Sequence, residues 1–353
     1  MTTSGTVGQT TIEVAQLIEH AFRRAGISPA ETTVDAINTA KENLYFYLSS
    51  LGNDGVNLWT VEKVLKGLNY ARANYQIGVG TIDIKRVLRR SMTLPSGGTA
   101  TSSAGGSAGY AFDQDLTTAC TQTSANGNIS YEFDSVRTIT TVGFMPNGDQ
   151  TLAPIFEWSN DGSTWTELYS VAKTDFSNGE WYYWDISSPV SATQYRMRET
   201  SGGTLNITEL VFATVVMEIP LGRISLDQYA NLTDKTMLSP QPLEYWFDRK
   251  VENPEINVWP VPNYNFDMLV IWRNRQIQDV GTLTNTLELP QRWIEAAVTE
   301  LSVRMLLEIP GEVKQDRYEI LKREAKEATF RAQQEERDNS PIFIAPNISC
   351  YTR

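Results

Sequence analysis

Hydrophobic residues near the N-terminus recur at helical spacing in two consecutive segments. The first opens with a capping-box pattern from Thr10 to Glu13 and ends at Gly26, and the second runs from Thr33 to a Gly/Asn/Asp turn at 52–55. Because positions three and four apart share one face of a helix, both segments predict amphipathic helices. The sequence therefore predicts an N-terminal helical hairpin.

The spacing becomes strand-like after the hairpin and helical again near the C-terminus. Alternating apolar and polar residues over 58–92 predict strands, and the same pattern, with proline at strand ends, continues over 219–272. One helix is predicted from Leu289 to the residues before Pro310, and a charge-rich one over about 313–336. These elements predict an α+β body of helical hairpin, β layer and C-terminal helices.

The middle of the chain has a different character. Residues 95–109 are rich in Gly, Ser, Thr and Ala, which predicts a flexible linker. Short β-type runs separated by Asn-Gly and Gly-Gly turns then continue to about residue 213, which is typical of an antiparallel sandwich. The predicted domains are the N-terminal body (1–94), an inserted sandwich (95–213), the C-terminal body (214–338) and an extended arm (339–353).

Composition excludes several classes of protein. Among 353 residues, 30 Lys and Arg stand against 42 Asp and Glu, giving a net charge of −12, which disfavours a conventional DNA-binding protein. No apolar run approaches the roughly 18 residues of a membrane span, and residues 1–9 lack a secretory pattern, so we expect a soluble protein made in a reducing cytoplasm. Cys120 and Cys350 are then free thiols.

Groups suited to catalysis are scarce. His20 is the one histidine, on a predicted helix, and no nucleophile, zinc or phosphate-loop motif is present, so neither an enzyme nor a cofactor is predicted. Asp113 and Asp115 are oxygen ligands of the kind calcium takes. Two acids in such a turn more often cap the backbone, and no metal is predicted.

Four consecutive aromatic residues form the sharpest candidate binding feature. Strand alternation places Trp181 and Tyr183 on one face and Tyr182 and Trp184 on the other, so one pair lies in a core. The outward pair is a sugar-stacking platform, a packing surface against the body, or simply exposed. Trp158 and Trp165 are expected in the sandwich core. Arg196 and Arg198 are expected on a solvated strand edge.

The middle segment carries a motif series that resembles a known β-sandwich family. Ala111-Phe-Asp113-Gln-Asp115 precedes Ser159-Asn-Asp-Gly162-Ser-Thr-Trp165 and a closing strand, Ile207-Thr-Glu209-Leu-Val-Phe212. The series resembles the discoidin, or coagulation factor 5/8 C-type, family over nearly all of the insert. The resemblance implies a jelly-roll, galactose-binding-like sandwich. Gln114 stands where the family usually has Gly, and Cys120 where it often has Trp, and both departures bear on any calcium or ligand site.

The segments on either side of the insert carry phrases of a second family. They are Ala21-Phe-Arg-Arg-Ala-Gly26, Leu58-Trp59, Ile224-Ser-Leu-Asp-Gln-Tyr229, Pro242-Leu-Glu-Tyr-Trp246, Ile256-Asn-Val-Trp259-Pro-Val-Pro262 and Leu289-Pro-Gln-Arg-Trp293. Together these resemble the head-to-tail adaptors of short-tailed bacteriophages, also called tail tubular protein A. The phrases lie on predicted strands, turns and helix ends, and they cover nearly all of the chain outside the insert.

The adaptor resemblance implies a virion structural protein assembled in the bacterial cytoplasm. Its expected partners are about twelve copies of itself in a ring, the portal, the next tail or nozzle protein and a tail fibre, with genomic DNA passing through the bore without specific binding. The arm would contact the portal or a neighbouring copy, or its own subunit, through apolar residues, namely Ile342, Phe343, Ile344, Ile348 and Tyr351. The alternative hypothesis is a carbohydrate-binding, lectin-like protein in which the helices are scaffold.

Overall fold

The computed structural model describes residues 12–27, 32–53, 58–308 and 315–335. Its helices are α1 (Val14–Ala25), α2 (Val34–Asn53), α3 (Leu226–Ala230), α4 (Gln291–Glu308) and α5 (Gln315–Glu335). The strands up to the closing strand of the sandwich are β1 (Val61–Gly67), β2 (Asn74–Gln76), β3 (Thr81–Thr93), β4 (Gly98–Ser102), β5 (Cys120–Thr121), β6 (Asn128–Thr138), β7 (Thr141–Pro146), β8 (Gln150–Thr151), β9 (Pro154–Ser159), β10 (Thr166–Ser170), β11 (Asp175–Phe176), β12 (Tyr182–Asp185), β13 (Ser191–Glu199) and β14 (Asn206–Pro220). The remaining strands are β15 (Gly222–Arg223), β16 (Leu238–Ser239), β17 (Glu244–Asp248), β18 (Glu255–Trp259), β19 (Val261–Pro262) and β20 (Met268–Arg275).

The chain divides into two compact units. The first, called here the helical unit, contains residues 1–61 and 274–353, and the second, the β unit, contains 62–273. The boundaries predicted at 95 and 213 both fall inside the β unit. The α+β fold class, with an antiparallel sandwich and a small number of helices, agrees with the sequence prediction.

The helical unit is built around a fully buried tryptophan. Trp293 of α4 is 0% exposed, and its ring centre lies 5.8 Å from that of Trp59. Apolar faces of four helices pack around it, including Leu17, Phe22, Leu44, Leu48, Leu301 and Ala332. The predicted hairpin and C-terminal helices are therefore present.

The ends of α1 show where local prediction succeeds and where it does not. Gly26 closes the helix in the left-handed conformation, at φ +80°, and its N–H donates to the carbonyls of Phe22 and Arg23. Glu13 occupies the N-cap position of α1, not the third position of the predicted capping box, and its side chain makes no capping hydrogen bond. Thr10, the other member of that box, lies outside the described residues. His20 is exposed on α1, as expected for a surface histidine.

One long strand joins the sandwich to the rest of the β unit. The first half of β14 pairs with β5 and β7, and its second half pairs with β3, from Thr214 opposite Thr93 to Pro220 opposite Leu88. The largest sheet therefore runs β1, β20, β3, β14, β7, β12, with β5 beside β14. The insert enters after β3 and leaves by the strand that pairs with β3.

The sandwich closes with a five-stranded sheet of order β10, β9, β13, β6, β4. Between the two sheets lies a buried core rich in aromatic and branched residues, among them Ile129, Phe144, Phe156, Tyr195, Met197 and Phe212. A separate sheet of order β15, β17, β18, β2 contributes to another core, which contains Tyr75, Val87, Phe247 and Ile271.

Two segments differ from their prediction. Residues 98–102, predicted as linker, form β4, whose backbone pairs with β6 from Gly98 opposite Phe133 to Ser102 opposite Ile129. Residues after Arg223, predicted as strand and turn, contain α3, because Ser225 and Gln228 form a reciprocal capping box. In both cases a specific hydrogen-bonding partner decides the conformation.

Candidate functional site

The four consecutive aromatic residues separate into two pairs, as the alternation predicts. Tyr182 and Trp184 are half-buried against the sandwich core. Trp181 and Tyr183 face the other way and are 5% and 6% exposed, in a cluster with Met145, Phe266 and Met268. Of the alternatives for the outward pair, packing against the body is the one that the structure contains.

This packing corrects the sugar-stacking expectation for the outward pair. The Trp181 ring stacks on Tyr183 at 5.2 Å and meets the edge of Phe266 at 5.6 Å, so no open ring face remains. Strand β1 also lies close to the Trp181 side chain, since a Cβ added to Gly67 would lie 2.4 Å from the Cβ of Trp181. A glycan or partner could contact Trp181 or Tyr183 only if these rings left the cluster.

An ion-pair network fixes the same strand to the body. Asp185 of β12 accepts hydrogen bonds from Lys63 of β1 and Arg90 of β3, and Arg90 also donates to Glu218 of β14. Burial would raise the pKa of Asp185, but the Arg90 and Lys63 contacts outweigh it and hold that pKa below its ordinary value. The sandwich is thus joined to the body by a strand, an aromatic cluster and buried charge.

A second aromatic residue lies on the outer face of the five-stranded sheet. Trp165 is half-buried, and the guanidinium carbon of Arg196 lies 4.1 Å from the centre of its ring. The indole Nε1 donates to the carbonyl oxygen of Gly162 at 3.3 Å. The prediction that Trp165 fills the sandwich core is therefore wrong, whereas Trp158 does pack against that core.

The turn before Trp165 is held by a dense set of hydrogen bonds. Asp161 Oδ1 accepts from the backbone N–H groups of Ser163 at 2.9 Å and Thr164 at 2.7 Å. These amides, with the Ser159 hydroxyl, keep the pKa of Asp161 well below its usual range. A turn constrained in this way presents the Trp165 ring in a fixed orientation.

A buried carboxylate organises the arginines of this face. Glu157 is 6% exposed and accepts from Arg196 Nε at 2.6 Å and from Arg198 Nη2 at 2.9 Å. Burial alone would raise the pKa of Glu157, but the hydrogen bonds from Arg198 and Arg196 lower it below its ordinary value. The expected solvated strand edge is instead the central strand β13, paired on both sides. We name Trp165, Glu157, Arg196 and Arg198 the Trp165 face.

The Asp113 loop packs beside a buried acid that the sequence did not single out. Asp113 accepts from the backbone N–H of Asp115 at 3.0 Å and from the Thr118 hydroxyl, as a backbone cap does. Glu209 is 2% exposed, and its Oε1 has no hydrogen-bond partner among the described residues. Burial and the charge of Asp113 raise the pKa of Glu209 to about 8.

These residues bear on the calcium implied by the discoidin resemblance. Gln114 has φ +62°, the left-handed region that favours glycine, and so adopts the conformation expected where the family usually has Gly. Carboxylate and hydroxyl oxygens suit calcium, and Glu209 Oε1 accepts no hydrogen bond from the described part of the chain, so the donor chemistry fits. Within the described ranges no three His, Cys, Asp or Glu side chains cluster as a metal centre, so hydroxyl and carbonyl oxygens would have to complete the coordination.

The remaining candidates lie elsewhere. Cys120 is a buried free thiol on β5. Cys350 and the candidate arm contacts Ile342, Phe343, Ile344, Ile348 and Tyr351 lie outside the described residues. In the part of the chain that the structure describes, no helix combines the length and apolarity of a membrane span.

Comparison with known proteins gives matches of structure alone. No family model matches the sequence, and no curated protein matches it. A family 32 carbohydrate-binding module of Clostridium perfringens NanJ, in complex with galactose, is 17% identical with a TM-score of 0.30, covering 33% of this chain and 93% of that one. The family 32 module of AlyQ, in complex with 4,5-unsaturated mannuronic acid, is 18% identical with a TM-score of 0.30, covering 35% and 98%.

An F5/8 type C domain of a Bacteroides fragilis protein is also similar, at 13% identity and a TM-score of 0.32, covering 36% of this chain and 98% of that one. All of these similarities concern about a third of this chain.

Proposed function

We propose that the chain is a non-catalytic binding protein whose inserted sandwich binds carbohydrate through the Trp165 face. The observation that carries the proposal is the half-buried Trp165 ring, stacked with Arg196 at 4.1 Å. The solved modules of NanJ and AlyQ, which are in complex with sugars, are compatible with this class of ligand.

The chemistry of this face suits a sugar. An aromatic ring offers an apolar surface to the C–H groups of a pyranose, and guanidinium N–H groups donate to hydroxyl or carboxylate oxygens. The Arg198 side chain is 33% exposed and retains donors besides those used by Glu157. Because Glu157 and the Asp161 turn hold these groups in place, little ordering entropy would be lost on binding.

A matched pair of variants tests the proposal. Trp165→Ala removes the ring, and Tyr110→Ala removes another aromatic side chain of the sandwich, which is 46% exposed. We expect a glycan array and titration calorimetry, with galactose and a uronic acid as first probes, to lose signal for Trp165→Ala and keep it for Tyr110→Ala. Equal signal for both variants would contradict the Trp165 face as the site.

We infer that a calcium ion, if bound, would lie at the Asp113 loop. Asp113 and Glu209 would hold the ion, which would supply positive charge to a buried carboxyl that otherwise keeps its proton at neutral pH. We assign no other metal or cofactor to the chain.

A second candidate function is the virion adaptor, assembled as a ring between portal and tail, with the sandwich as an outward decoration that binds a tail fibre or a glycan. The observation that favours it is the apolar surface of α2, where Val34 is 73% exposed, Tyr45 48% and Phe46 57%. Tyr45 and Phe46, whose ring centres lie 6.0 Å apart, would belong to the surface of α2 that meets a neighbouring copy or the portal.

Mass photometry and negative-stain imaging of the full chain, alone and with a phage portal ring, test this second function. An adaptor forms annular particles or adds a layer to the portal, and Phe46→Ser weakens that assembly while Tyr110→Ser does not. A chain that stays monomeric and does not bind the portal ring would contradict the adaptor function.

A further inference from the structure

The helical unit contains an apolar groove between α1 and α2. Its volume is about 400 Å³, and its walls include Ile18 and Phe22 of α1, Ile37 of α2 and Leu283 from the segment before α4. Leu283 is 37% exposed although it belongs to this apolar lining. Water in such a groove is unfavourable, so an apolar occupant would stabilise it.

The two charged side chains that line the groove neutralise each other. Glu19 and Arg23, one turn apart on α1, form an ion pair. The other walls are uncharged. The groove therefore favours a segment with apolar side chains and no net charge over a charged peptide or a nucleic acid.

Two terminal segments lie outside the described residues, and they differ in composition. Residues 1–11 are mostly Thr, Ser, Gly and Gln. Residues 341–351 carry no charged side chain and alternate apolar groups, namely Ile342, Phe343, Ile344, Ile348 and Tyr351. Pro341 and Pro346 disfavour a helix over this stretch, and an extended chain fits a groove between helices.

The last turn of α5 belongs to the same core cluster as two wall residues of the groove. Ala332, in the last turn of α5, is buried in the same core cluster as Ile18 and Phe22. Six residues separate Pro341 from Glu335, the last residue of α5, and an extended chain of that length spans roughly 20 Å. Measured in the same way from Glu335, Tyr351 could lie up to roughly 50 Å away.

We propose that residues 341–351 of this chain occupy the groove between α1 and α2. The apolar side chains of the segment cover the partly exposed wall residues Ile27, Ile37 and Leu283. The proposal is independent of the sandwich and of its ligand, and it gives the C-terminal arm a defined binding surface.

The cysteines of the chain provide the test. Cys350 lies in the segment and Cys120 is buried in the sandwich, so a new thiol in the groove has one accessible partner. We compare Ile37→Cys and Leu283→Cys, inside the groove, with Val34→Cys on the same helix but outside the lining, in the full chain. After mild oxidation, peptide mass spectrometry identifies disulfides to Cys350.

When residues 341–351 occupy the groove, the Cys350 thiol is held at a high local concentration beside a cysteine placed there. The groove variants should therefore form the disulfide at least about tenfold faster than Val34→Cys. Cys350→Ser abolishes the bond, and Phe343→Ser, which leaves the helices unchanged, slows it. The mass of the product tells whether the segment belongs to the same copy or a neighbour. Equal rates inside and outside the groove, or no effect of Phe343→Ser, would overturn the proposal.

Discussion

The guanidinium carbon of Arg196 lies 4.1 Å from the ring centre of Trp165, while its Nε donates to the buried carboxylate of Glu157 at 2.6 Å. One arginine thus couples a buried charge to a half-buried aromatic ring. A planar guanidinium can both stack and donate, which an ammonium group cannot. The orientation of the Trp165 face depends on this pair.

Arg196→Lys keeps the charge and removes the stacked plane. We expect it to weaken carbohydrate binding about tenfold, or about 1.4 kcal/mol, measured by titration calorimetry. Arg137→Lys, an exposed substitution on β6, is the control and should leave affinity unchanged. Full affinity in Arg196→Lys would show that stacking plays no part.

Gly67→Ala tests the packing of Trp181 on the body. The added Cβ would meet the Cβ of Trp181 at 2.4 Å, an atom that cannot move without the strand, so we expect a loss of about 1–3 kcal/mol in unfolding free energy. At Gly109 nothing lies within 4 Å, so Gly109→Ala should be neutral. Thermal unfolding compares the two, and matching midpoints would mean that Trp181 does not lie where the structure has it.

Asp185→Asn tests the ion-pair network between sandwich and body. The Arg90 side chain is 5% exposed, and it would lose one of its two carboxylates, at a cost of about 2–4 kcal/mol. Glu180→Gln breaks the Arg72 pair at the surface, where side chains are 35% and 43% exposed, and should cost less than about 1 kcal/mol. Urea unfolding measures both, and a larger loss for Glu180→Gln would contradict the network.

The sequence predicts the local features of this fold and misses those decided by distant partners. Gly26 ends α1 by its own conformation, and the alternation from Trp181 to Trp184 correctly divides four rings between two faces. The Trp181 ring is covered by Phe266, which lies far along the chain, and no local sequence pattern indicates that contact.

The same limit explains the errors on the sandwich. Residues 98–102 have the composition of a linker, and they become a strand because β6 supplies their backbone partners. Arg196 and Arg198 alternate as on an exposed edge, but strand order places β13 at the centre of its sheet, next to Glu157. The Ser159 to Trp165 motif does identify the turn that presents Trp165, although its side-chain direction depends on Arg196.

Glu209 predicts a pH dependence of stability. Its pKa in the folded chain is about 8, above the ordinary value of 4.5, so between these pH values the folded state holds a proton that the unfolded chain has lost. Stability therefore falls as pH rises through this window, by on the order of 5 kcal/mol in total.

Urea unfolding from pH 5 to 9 in EDTA measures this fall. Glu209→Gln should flatten the curve, whereas Glu167→Gln, an exposed acid, should not. Added calcium should restore stability at pH 8 in the original chain and not in Glu209→Gln. An unchanged slope in Glu209→Gln would assign the dependence to other groups.

The most direct test of the central claim is a titration of the full chain and of Trp165→Ala with the strongest glycan from an array. Stacking of a sugar on this ring predicts a loss of about tenfold to a hundredfold in affinity for Trp165→Ala, with Tyr110→Ala unchanged and both variants folded by circular dichroism. Undiminished affinity in Trp165→Ala, or no glycan bound by the original chain at millimolar concentration, would contradict carbohydrate binding through the Trp165 face.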